Sequence, residues 1–173
     1  MFKRLLAAVA LAAVATQALA GEEVFALPGG GGLVLMVPDG WKHEQQAATA
    51  AISLTPRAGK GFVVQLTPLV RPDGSIARND TQTLRKIAED GAQEALARSE
   101  EKSLPVQFFF GATGRGFYFS ATDRAPKPGE FKHLTQGVTT IHGIPVTFTI
   151  LSDPTGLPAV DATFQMLKSA QRR

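Results

Sequence analysis

LRKIAEDGAQEALAR, Leu84 to Arg98, is where the chain changes its period. Apolar or small residues fall at Leu84, Ile87, Ala88, Gly91, Ala92, Ala95 and Leu96. Those are the steps i, i+3, i+4, i+7 and onward that line one face of an α-helix. Asn79 or Asp80 stands where a side-chain cap belongs. Arg85 with Glu89, Lys86 with Asp90, and Glu94 with Arg98 are i,i+4 pairs of opposite charge for the solvent side. Gly91 lies on the apolar face, although glycine costs about 1 kcal/mol relative to alanine in an exposed helix interior. Close packing of this helix against a sheet is the reason to expect.

On either side of this helix the period is two. Upstream, Leu33 to Val37 reads as a strand and Pro38-Asp39-Gly40 as a turn. Trp41 to Gln46 is a more polar strand, and Ala51 to Thr55 a short one. Phe62 to Leu69 alternates, with Phe62, Val64 and Leu66 on one face and Val63, Gln65 and Thr67 on the other. Downstream, Val106 to Ala112 and Gly116 to Asp123 are strands joined by a glycine-rich turn. Phe131 to Ile141 and Ile144 to Ser152 form a hairpin around His142-Gly143, since glycine adopts the positive φ of a two-residue turn. A second helix runs from about Pro158 to Ala170, with Pro158 in its first turn and Val160, Phe164 and Leu167 as its stripe. The order is four strands, helix, four strands, helix. Val106 and Phe108 against Phe109, and Ile150 against Leu151, are apolar on both faces, so both faces of the sheet want cover. The expected fold is α+β, a three-layer α/β/α sandwich on one mostly antiparallel sheet.

The chain has 173 residues. Residues 1–20 read as a cleaved signal peptide. Lys3 and Arg4 lead an apolar run, Leu5 to Ala15, and Ala18-Leu19-Ala20 supplies the small-x-small cleavage signal. The run is about 11 residues, whereas a helix needs about 20 to span a bilayer. Cleavage after Ala20 would leave one domain, 21–173, without a stable membrane anchor, in the periplasm or secreted. Losing Lys3 and Arg4 takes the formal net charge from +3 to +1. A nearly neutral chain without a basic stripe argues against nucleic acid, and none is expected as a partner. The absence of cysteine excludes disulfides, thiolate catalysis and cysteine-bound metals.

Three features resemble the PsbP-like superfamily. Val37-Pro38-Asp39-Gly40-Trp41 is similar to its turn after the first strand, Ile141-His142-Gly143-Ile144 to its last hairpin, and Phe164 to Ser169 to its closing helix. The superfamily includes the extrinsic PsbP protein of photosystem II, a Ran-binding nuclear-import factor and exported bacterial proteins. The resemblance implies an accessory or binding protein rather than an enzyme, and carries no binding residue onto this chain.

Candidate sites are few. Gly29 to Gly32 lacks the Walker spacing and precedes a strand, so it reads as a turn or lead-in rather than a phosphate cradle. His133 and His142 are an odd number of residues apart on one apparent strand, and so on opposite faces. His43 has no acidic partner at fixed spacing. No metal, cofactor or catalytic set is read here, and the enzyme checklist of nucleophile, base and orienter finds no members. The segment expected to make contact is the long loop DRAPKPGEFK, Asp123 to Lys132, through Asp123, Arg124, Lys127, Glu130 and Lys132. The expected function is a monomeric accessory protein that presents this loop to an envelope protein. A second reading is a binder of a small apolar or amphipathic ligand, with Phe108–Phe110 and Phe117–Phe119 lining a pocket between sheet and helix. A hydrolase is the third.

Overall fold

The computed structural model describes residues 20–173. Most of the expected leader, with Ala18 of its cleavage signal, lies outside the described residues. Ala20 is exposed and opens the first strand.

Ten strands and two helices follow one another as β1 (Ala20–Ala26), β2 (Gly32–Pro38), β3 (Trp41–Gln45), β4 (Ile52–Pro56), β5 (Phe62–Pro68), α1 (Thr81–Leu96), β6 (Gln107–Phe110), β7 (Arg115–Thr122), β8 (His133–Ile141), β9 (Ile144–Ser152), α2 (Pro158–Ser169) and β10 (Gln171–Arg172). Every strand pairing is antiparallel. The strands form two sheets rather than the single one expected. The larger has the order β3-β4-β5-β9-β8-β7-β6 and the smaller β1-β2-β10. Five strands, not four, precede α1. The extra one, β1, is the partner that the glycine run turns back onto β2. Gly29, Gly30 and Gly31 all have positive φ, and a Cβ on Gly29 would lie 2.4 Å from the Cα of Gly74. The run is therefore a hairpin turn packed against a neighbouring loop.

The layers follow from the alternation. Val64 and Leu66 of β5, and Val146, Phe148 and Ile150 of β9, point to one side. There they meet Leu33 and Leu35 of β2 and Met166 and Leu167 of α2 in the main core. On the opposite side α1 packs on β7 and β8, with Leu84 and Ala88 over Phe117 and Val138, and Ala92 over Phe119 and Ala121. The sandwich thus has α1, the seven-stranded sheet, and α2 with the small sheet as its three layers. The cover is uneven, contrary to the expectation that both faces are closed. Beyond β8 the α1 side of the sheet is open. The side chains there are mostly polar, Ser53, Gln65, Thr67, Thr147 and Thr149 beside Val63 and Leu151, and among the described residues no helix lies above them.

Local signals hold α1 in place. Asp80 is its cap and accepts the Thr83 amide at 3.0 Å and the Thr83 hydroxyl at 2.7 Å. These bonds, with help from Arg78, hold the Asp80 carboxyl down to about 2. Asn79 instead donates to the carbonyl of Gly143 and ties the helix start to the β8–β9 turn. That turn has φ of 45° at His142 and 83° at Gly143, so two left-handed residues close the hairpin. A Cβ on Gly91 would sit 3.2 Å from the ring of Phe119, which accounts for glycine on the apolar face. On α2 the buried side chains are Ala159, Thr163, Met166 and Leu167. The stripe is thus rotated from the expected one, and Val160 and Phe164 lie at its flank.

A candidate binding cleft beside the loop 123–132

The two halves of α1 carry side chains of different size. Leu84 and Ile87 fill the space above the sheet at its start, whereas Gly91 and Ala95 leave space near its end. A cleft of about 570 Å³ opens there between α1, the strands β7 to β9 and the loop 123–132. Its floor is apolar: Gly91, Ala95, Ala121, Leu134, Leu151 and Phe131. Its rim is polar and includes Arg98, Asp123, Glu130, Lys132 and His133.

The loop that walls the cleft is stitched to the segment after α1. At its neck the Asp123 amide donates to the Lys132 carbonyl at 2.8 Å. The Glu100 amide donates to the Thr122 carbonyl at 2.8 Å and the Arg124 amide to the Arg98 carbonyl at 2.9 Å. The Arg124 guanidinium closes on the Ser99 carbonyl, with Nη2 at 2.7 Å. Arg98 reaches Asp123 at 2.9 Å and Glu130 at 3.7 Å. The expected Arg98–Glu94 pair is not the one the side chain makes. Lys132 pairs with Glu100. At the loop tip the Lys127 amide donates to the Glu130 carboxylate at 3.0 Å, and Gly129 takes φ of 87°. Of the five loop residues singled out from the sequence, Asp123, Glu130 and Lys132 are in ion pairs and Arg124 is bound to backbone. Lys127 has no ion pair among the described residues.

Glu101 completes the stitching. Its carboxylate accepts the Thr122 amide at 3.0 Å and the Ser99 hydroxyl. Partial burial works to raise this carboxyl. It is outweighed by the bonds from Ser99 and Thr122, which hold it down to about 2. Neither Glu101 nor Arg98 stood out in the sequence as a partner of the loop, because the residues they meet are more than twenty positions away.

The aromatic strands do not line this cleft. Phe117 and Phe119 are buried under α1, and Phe109 packs against Tyr118, Phe148 and Phe164 on the α2 side. Phe108 and Phe110 are 62% and 64% exposed. The pocket expected between these rings is replaced by packed core on one strand and open surface on the other. The histidines stand apart. His43 lies 3.8 Å from Glu23 and edge-on to Phe25, His133 is at the cleft rim, and His142 is in its turn. Among the described residues no three of His, Cys, Asp and Glu come together in a group that could hold a metal. No helix among them is long and apolar enough to cross a membrane.

No protein-family model matches the chain, and no curated protein sequence matches it. Among solved structures it is similar to the solution structure of cyanobacterial PsbP (CyanoP) from Synechocystis sp. PCC 6803. The TM-score is 0.48 and the identity 10%, over 94% of this chain and 99% of that chain.

Proposed function

We propose that this chain is an exported, non-enzymatic accessory protein that binds a protein partner of the cell envelope at the cleft beside the loop 123–132. The observation that supports this is the loop itself. It is braced by ion pairs with Arg98 and Glu100, and it walls a cleft of about 570 Å³ with an apolar floor. A wall already held in shape loses little conformational freedom when a partner's side chain seats against it. Lys127, at the tip, is the charge left to meet that partner. The export half of the proposal rests on the leader-like residues 1–20.

The test is affinity purification of the full-length tagged chain from its native host after mild crosslinking. The expected result is one stoichiometric envelope protein, lost when Ala125 to Glu130 is replaced by a Gly/Ser linker of the same length. Turnover of a substrate, abolished by one point substitution, would overturn the reading. The apolar floor and charged rim of the cleft also favour a second reading, a small amphipathic ligand. Native mass spectrometry would then find an added mass, and Ala95→Trp, which fills the cleft, would remove it.

A further inference from the structure

The strand β6 ends the seven-stranded sheet. Its neighbour β7 pairs with one of its edges through Phe108↔Phe117, Phe109↔Gly116 and Phe110↔Arg115. Just beyond, the Gly111 amide donates to the Gly114 carbonyl at 2.8 Å. Antiparallel ladders alternate hydrogen-bonded and non-bonded pairs. Counting back from Gly111–Gly114 makes Phe109–Gly116 a bonded pair. The amides and carbonyls of Phe108 and Phe110 therefore face the open edge. These are the same two residues whose rings are exposed, and the rings already stack edge to face with centroids 5.9 Å apart. Phe109 between them points the other way and anchors the strand, its ring lying over Gly116.

We infer that β6 pairs antiparallel with β6 of a second copy of this chain, about a twofold axis at Phe109. That register sets Phe108 opposite Phe110 of the second copy, and the reverse. Both are outward-facing residues, so the two bonded pairs form four backbone hydrogen bonds. Directly opposite residues share a face of the sheet. The two Phe108–Phe110 pairs thus join into one cluster of four rings. Self-pairing brings identical charges together, and here there are none, because Ser103 to Thr113 contains no charged residue. A phenylalanine offers roughly 200 Å² to bury, so four rings exposed by about three fifths contribute roughly 500 Å². With the paired backbones this remains below the roughly 1,000 Å² of a stable interface. The pairing is accordingly weak and reversible.

The described chain and its sequence hold no cysteine, so engineered thiols report cleanly. Phe108→Cys and Phe110→Cys chains are prepared separately and then mixed under mild oxidation. Opposite Cα atoms in a bonded pair are about 5.5 Å apart, within disulfide range. Two copies of the same variant place their thiols two residues out of register, roughly 8 Å apart at Cα and out of reach. The expected result is a disulfide dimer from the mixture and at least tenfold less from either variant alone. Sedimentation of the unmodified chain should show mass rising with concentration, and Phe108→Lys with Phe110→Lys should hold it monomeric while its unfolding stays cooperative. A strict monomer at about 1 mM, or crosslinking as strong within each variant as between them, overturns the proposal. So does an edge that takes up an extended segment of another protein but never itself.

Discussion

The two edges of the seven-stranded sheet are built on opposite plans. The β3 edge reads Trp-Lys-His-Glu-Gln and carries two charges, Lys42 and Glu44. It is also attended: the Gln45 side chain bonds both the amide and the carbonyl of Ala26 in β1, at 3.2 and 2.8 Å. The β6 edge reads Gln-Phe-Phe-Phe, carries no charge, and has no attendant among the described residues. Charged side chains and covering segments are the usual ways a chain keeps a strand edge from pairing with another. Among the described residues one edge has both devices and the other neither. The difference teaches that the bare edge is not a general property of the fold, since the same chain protects its other edge.

Each edge strand still has one inward aromatic anchor, and removing these gives the largest expected effects. Trp41 is 9% exposed and its ring packs 4.5 Å from that of Phe62. Trp41→Ala should cost about 4 kcal/mol, read as a lowered urea midpoint. Phe109→Ala empties a partly buried site between Phe148 and Phe164 and should cost about 3 kcal/mol in the same titration. Gln45→Ala strips the attendant from the β3 edge. It should cost about 1 kcal/mol and leave β3 the more open to hydrogen exchange.

The approach to β6 is sensitive to acid. The Glu101 carboxyl titrates near 2 in the fold, below its ordinary 4.5, so its stabilisation is whole above about 4.5 and lost as pH falls toward 2. After discounting for solvent this is on the order of 1 kcal/mol, and Glu101→Gln should flatten that part of the stability–pH curve. The smallest effect is the most telling. Phe108→Ser and Phe110→Ser should each change the stability of the isolated chain by less than about 0.5 kcal/mol, because their rings touch water already. If either costs as much as Phe109→Ala, the contrast between the edges is wrong.

Much of this architecture was legible in the chain because its signals are local. The α1 face, the Asp80 cap and the His142-Gly143 turn each rest on residues within a few positions of one another. The Gly29–Gly32 turn was legible for the same reason. What was not legible depends on distant partners. The smaller sheet needs β10, two residues at the far end of the chain, to pair with β2. The cleft needs Arg98 to leave Glu94 for Asp123, which no helical spacing announces. Phe108-Phe109-Phe110 has no alternation to separate its faces, so both faces read as wanting cover. That β6 is an edge follows from the pairing of β5 with β9, a fact that no local pattern contains.

That last pairing also sets when the protein can become itself. Phe62 faces Ser152, and Pro68 faces Val146, with α1 and three strands lying between them in the chain. Until the last strands exist, the meander β3-β4-β5 has no mate and the main core has no second wall. Sheets closed by such remote segments fold slowly, in milliseconds to seconds. A nascent copy therefore cannot close the larger sheet until Ser152 has been made, and the residues that separate β5 from β9 must wait for their centre.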